Sequence, residues 1–197
     1  MTSIAMVLAP NKALPGGKEE PKFVPGTAAS YPSHQTSEKV TIGVKAYFDD
    51  EDVRPVFGKK NPYNYGVLPV LVVIQNDGPK TIRVKTLQAV WVSPDRDRVE
   101  ATPAKDVRYL RGPQRPPEIG TGPASIPKLA SHKNPLDTWE IEGRAFAAQM
   151  LPPGQSASGF FYFQTGYQRG ANLYLSGLQE AESGKELLYF EIPIVEK

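Results

Sequence analysis

The chain has 197 residues, 40% of them hydrophobic and 22% charged, with 23 basic residues against 21 acidic ones and no cysteine. That balance fits one globular domain and argues against wholesale disorder, while the missing thiols exclude disulfides, thiol catalysis and thiolate metal sites. No apolar run is long enough to span a bilayer, and neither a basic stripe nor a reading motif argues for nucleic acid.

Residues 1–37 carry Pro10, Pro15, Pro21, Pro25 and Pro32 among small and polar residues. This composition predicts a flexible arm ahead of a single domain over 38–197. The opening Met1 to Pro10 reads either as the remnant of an export signal or as an ordinary flexible start. Val40, Ile42, Val44, Ala46 and Phe48 then alternate with Thr41, Gly43, Lys45 and Tyr47, which predicts a half-buried strand. Asp49 to Asp52 ends it as a solvated acidic turn, since the run lacks the spaced carboxylates and glycine of a calcium loop.

Gly66 to Gln75 is too rich in β-branched residues and too short to favour a helix, and its nearly continuous apolar run predicts a strand covered on both faces. Pro69 cannot donate to a ladder, so regular pairing is expected to begin after it or to bulge there. Asn76-Asp77-Gly78 predicts a tight reversal into a second strand over Thr81 to Val92. Thr102-Pro103 starts a short helix to about residue 111, with Lys105, Arg108 and Arg111 on its solvated side. An irregular, Pro-rich connection runs from Gly112 to Pro135.

Asp137 and Glu140 have capping-box spacing, and Trp139, Gly143, Phe146 and Met150 fall near one helical face, so a helix is expected over 137–150. Pro152-Pro153-Gly154 turns the chain into the aromatic strand Ser158 to Gln164, and two further strands follow at 172–178 and 187–194. Six strands and two short helices in the connections predict a mainly β protein, a β-sandwich with Val72 and Phe161 in its core.

Little in the sequence points to catalysis. His34 and His132 lie in Pro-rich segments without a second ligand at metal spacing, and no serine stands in a nucleophile elbow. Gly58-Lys59-Lys60 fails as a phosphate loop, because neither Val53 nor Arg54 supplies the earlier glycine and Lys60 stands where a hydroxyl belongs. No catalytic residue, metal site or cofactor is therefore expected. Tyr63 and Tyr65, beside Asn61, Pro62 and Asn64, are the candidate binding residues, suited to stacking on a sugar or touching a partner. The competing structural role is that one tyrosine caps the core.

Phe57-Gly58-Lys59-Lys60-Asn61-Pro62-Tyr63, the Val67 to Ile74 strand, and Leu151-Pro152-Pro153-Gly154 ahead of Gly159-Phe160-Phe161-Tyr162-Phe163 together resemble uncharacterised bacterial secreted or lipoprotein-like proteins with an immunoglobulin-like sandwich. The resemblance implies an immunoglobulin-like β-sandwich over roughly 38–197 and an extracytoplasmic setting, and it brings no known activity with it. The expected function is a non-enzymatic interaction or scaffolding module whose partner is an envelope protein or a glycan. The alternative is a carbohydrate-binding module using Tyr63 and Tyr65.

Overall fold

The computed structural model of the chain describes residues 23–107, 136, 138–187 and 189–195. In chain order these form β1 (Ser33–Ser37), β2 (Val40–Ala46), α1 (Asp50–Phe57), β3 (Leu68–Asn76), β4 (Ile82–Arg83), β5 (Gln88–Val92), β6 (Arg98–Glu100), α2 (Ala104–Val107), α3 (Thr138–Arg144), β7 (Met150–Leu151), β8 (Ser156–Phe163), β9 (Asn172–Ser176), β10 (Gln179–Glu180) and β11 (Phe190–Pro193). Short 3-10 turns sit at Ala28–Ser30 and Pro62–Tyr65.

One antiparallel sheet runs β1-β2-β3-β8, a second runs β11-β9-β5-β6, and a small third sheet joins β10, β4 and β7. The strand period of two sends Val40, Ile42 and Val44 of β2, with Val70, Val72 and Ile74 of β3, to one face. There they meet Trp91, Leu173, Leu175, Phe190 and Ile192 of the second sheet, forming the sandwich core. The alternate residues Tyr47, Leu71, Val73, Phe160 and Tyr162 form a second core beneath Val53, Val56 and Phe57 of α1 and Ile141 of α3. The protein is a mainly β sandwich with helices laid over one outer face.

Double coverage explains the sequence of β3. With a core on each side it has no solvent face to mark with polar residues, as its unbroken apolar run predicted. Pro69 is accommodated at the end of the β2 ladder. The last register pair is Ala46 with Val70, and beyond it Pro69 only accepts, its carbonyl taking the Tyr47 N–H at 2.9 Å.

Several expectations need correction. Residues 23–37 do not form a free arm: β1 pairs with β2 from Ser33–Val44 to Ser37–Val40, and Ala28 is fully buried. The reversal between these strands is made by Glu38 and Lys39, both at positive φ. Asn76-Asp77-Gly78 shows no positive φ and makes no hairpin, because β3 pairs instead with β2 and β8 while β4 and β5 join the other two sheets. The buried Asn76 side chain fixes that departure. Its amide donates to the carbonyls of Lys80 (2.8 Å) and Leu151 (2.9 Å), and its oxygen accepts from Gly78 N–H (3.0 Å).

The acidic run is not a bare turn but the first turn of α1, where carboxylates suit the helix dipole. The helix expected over 137–150 stops at Arg144, and Met150 lies in β7. Within the helix expected to reach residue 111, α2 covers Ala104–Val107, and residues 108–111 lie outside the described part. Val72 is fully buried, whereas Phe161 is only partly so and stacks on Phe146 at 5.6 Å.

Candidate functional site

A cleft of about 550 Å³ opens where β2 outruns β1. Because β1 begins opposite Val44, the stretch Lys45 to Phe48 continues without a neighbour on that side. Successive residues point to opposite faces, so Tyr47 enters the helix-covered core and Phe48 the sandwich side. Tyr31, following the Ala28–Ser30 turn, forms another wall, and Tyr167 closes the cleft by stacking on Phe48 with ring centroids 4.1 Å apart. Asp49 and Asp52 reach the cleft from the start of α1, and Ile194 and Val195 line it from beyond β11.

The local sequence explains this geometry. Gly43 allows the Ala28–Ser30 turn to lie directly on β2, since a Cβ there would stand 2.2 Å from the Ala28 carbonyl oxygen. The turn then presents Tyr31, whose hydroxyl accepts the Gly26 N–H at 3.0 Å. The C-terminal wall is held by Ser33, whose hydroxyl oxygen accepts the Val195 N–H at 2.8 Å.

Lys45 and Asp52 form an ion pair at 2.7 Å, and the Lys45 ammonium also lies 5.1 Å from the centre of the Tyr47 ring. Burial pushes the Tyr47 phenol well above its ordinary pKa, with the Tyr31 phenol and the Asp52 carboxylate raising it further. Burial likewise raises Tyr31, opposed by its bond to Gly26. Both phenols stay neutral at physiological pH; the Tyr47 ring is buried with Lys45 over it, whereas Tyr31 is only partly buried. Ser30 donates its hydroxyl to the Thr27 carbonyl at 2.7 Å.

Tyr63 and Tyr65 are both partly buried and do not form a common platform. Tyr63 packs against the sandwich core and Tyr65 against the helix-covered one. The Tyr63 hydroxyl accepts the Tyr167 N–H at 3.0 Å and its ring meets Phe48, so it stands behind the cleft wall and positions it. Sequence reasoning missed Tyr31, Tyr47, Phe48 and Tyr167 because they come from three separate segments. A partial signal existed in Tyr47-Phe48, two aromatics running directly into an acidic cluster.

Other candidates are placed as follows. His34 lies in β1 with Nδ1 2.7 Å from the Tyr31 carbonyl oxygen, and His132 lies outside the described residues. Among the described residues no three metal-ligating side chains come together, and no helix is long and apolar enough to cross a membrane. On the outer face of the second sheet, Tyr174 and Tyr189 stack at 5.1 Å with Arg98 over Tyr174 at 5.3 Å. A second cavity, of about 330 Å³, lies between β5 and β8 and contains one carboxylate, Glu100.

No family model and no curated protein matches the chain. Among solved structures it is similar to a putative ApaA protein from Bordetella pertussis, with 15% identity and a TM-score of 0.36 over 85% of this chain and 93% of that one. It is also similar to MPT63, a secreted protein from Mycobacterium tuberculosis, with 13% identity and a TM-score of 0.33 over 84% of this chain and 95% of that one. At these scores neither fold nor function is carried over.

Proposed function

We propose that this chain is a non-enzymatic interaction module that works outside the cytoplasm and takes its partner at the aromatic cleft. The observation that carries this reading is the cleft itself: Tyr31, Tyr47, Phe48 and Tyr167 surround a volume typical of ligand sites, with one charged pair inside it. Binding is favoured over catalysis by how the polar groups are engaged. Lys45 and Asp52 are paired with each other, and Ser30 is bonded to Thr27 rather than to a base. The extracytoplasmic setting rests on the resemblance of Phe57 to Tyr63, the Val67 to Ile74 strand, and Leu151 to Gly154 with Gly159 to Phe163 to secreted or lipoprotein-like proteins.

Site-specific photocrosslinking tests the reading. Val195 lines the cleft and is 53% exposed, while Met150 is 46% exposed and lies away from it. A photoreactive phenylalanine at position 195, in the cells that make the protein, should give a discrete adduct that the same group at 150 does not. No adduct at 195, or the same adduct at both, would overturn it.

A glycan is the second reading. The feature favouring it is the stacked pair Tyr174 and Tyr189, because Tyr189 is 55% exposed and aromatic faces suit sugar rings. Glycan-array binding lost in Tyr189→Ala would support it.

A further inference from the structure

We propose that the cleft receives a basic side chain, an ammonium or guanidinium, from a polypeptide segment of the partner, at the position that Lys45 now fills. This deepens the interaction-module reading and rests on it. The chain displays its own cation in the cleft: the Lys45 ammonium lies over the Tyr47 ring and 2.7 Å from Asp52. A position flanked by an aromatic face and a carboxylate suits a cation from elsewhere equally well. The Lys45–Asp52 pair is partly exposed, with side chains 28% and 44% accessible, so opening it costs little.

The charge around the cleft has the matching sign. Among the described residues Lys45 is the one cation of its lining, against Asp49 and Asp52, and Glu51 lies on the same helical turn. An acidic mouth steers basic segments toward it and repels acidic ones.

The backbone argues for a polypeptide over a free cation. Just past the end of β2 the Tyr47 N–H is directed to Pro69 of β3, so strand alternation turns the N–H and C=O of Ala46 to the other side. That side is the cleft, which Ala46 lines, and β1 has already ended opposite Val44. An extended segment laid there can bond Ala46 as an added strand while its basic side chain reaches Asp52.

The test is an NMR titration of the full chain with capped tripeptides Gly-Arg-Gly, Gly-Lys-Gly, Gly-Gln-Gly and Gly-Glu-Gly, and with spermidine, following the ring signals of Tyr31 and Tyr47. The basic peptides should shift both rings saturably and more tightly than the neutral peptide or spermidine. Lys45→Met should tighten the basic peptides roughly fivefold by removing the internal competitor, and Asp52→Asn should weaken them roughly fivefold. Unchanged melting of both variants shows that the cleft is intact. Saturable binding of the acidic peptide, lost in Lys45→Met, would overturn the cationic assignment while leaving a binding cleft in place. Spermidine binding as tightly as the peptides would overturn the polypeptide assignment. No response of either ring to any probe, together with no adduct at position 195, would remove the cleft as a site.

Discussion

Tyr47 and Tyr162 are 4% and 1% exposed, and burial holds both phenols well above their ordinary value of 10.0. Arg144 opposes the rise at Tyr162, whose hydroxyl donates to the Ile141 carbonyl at 2.8 Å. The sign of the resulting pH dependence follows from proton counts. Above about pH 10 the unfolded chain releases these protons while the folded chain keeps them, so the folded state binds more. Their contribution is fully present below pH 10 and declines as pH rises toward the folded values. Each phenol adds a slope of about 1.4 kcal/mol per pH unit in that window. Melting temperatures measured from about pH 9 to about pH 11.5 should fall more steeply for the native chain than for Tyr47→Phe/Tyr162→Phe. Parallel curves would show that these phenols ionise in the folded protein.

Among elements, the Ala28–Ser30 turn depends on one missing side chain. A Cβ on Gly43 would also come within 2.9 Å of a Tyr31 ring atom, so Gly43→Ala pushes the turn and the cleft wall away together. The expected loss is about 1–3 kcal/mol, the usual cost of overpacking. The Tyr31 ring signals should shift with it. Gly143 in α3 is the control, since a Cβ there meets nothing within 4 Å. Gly143→Ala should leave stability unchanged or raise it by up to about 1 kcal/mol through helix propensity. Equal destabilisation by both substitutions would contradict this account of Gly43.

What the sequence disclosed at this scale follows from which elements carry a periodic signal. β2, β3 and β8 were legible because Val40 to Ala46, Val67 to Ile74 and Phe160 to Phe163 have strand-forming residues with nothing helical in their spacing. β1 was not, because Ser33-His34-Gln35-Thr36-Ser37 contains no apolar residue. Its strand character comes from backbone pairing to β2 and from a turn at Glu38-Lys39, residues that signal a positive-φ reversal poorly. α1 was hidden by its own start. Asp49 to Asp52 read as a solvated acidic turn, although carboxylates suit the N-terminal end of a helix dipole, and Pro55 inside the helix is an unfavourable residue that gives no helical signal.

For the whole molecule, pairing partners are the least local property. β3 lies between β2, which precedes it, and β8, some eighty residues further on, and no short-range pattern announces the second. The cleft inherits this, since its four aromatics meet only after the sheets have formed. The same long-range dependence makes residues 23–37 part of the folded unit: Phe23 packs on Tyr47 and Phe160 with both ring separations at 6.2 Å, Ala28 is buried, and β1 covers the edge of β2. Residues 33–38 also hold the segment from Lys185 to Val195. Gln35 accepts the Glu191 N–H at 3.0 Å, Ser33 accepts that of Val195, and Lys185 pairs with Glu38 at 2.9 Å. A chain beginning at residue 38 therefore loses a strand, a cover for Tyr47 and Phe160, and the anchorage of β11. With each large side chain worth about 1.5–3 kcal/mol on burial, the loss is on the order of 5 kcal/mol, a large share of a typical domain's stability. Calorimetry should show its melting temperature lowered by more than about 10 °C, or no cooperative transition. Cooperative melting at the temperature of the full chain would mean that β1 is dispensable, and with it the wall that Tyr31 brings to the cleft.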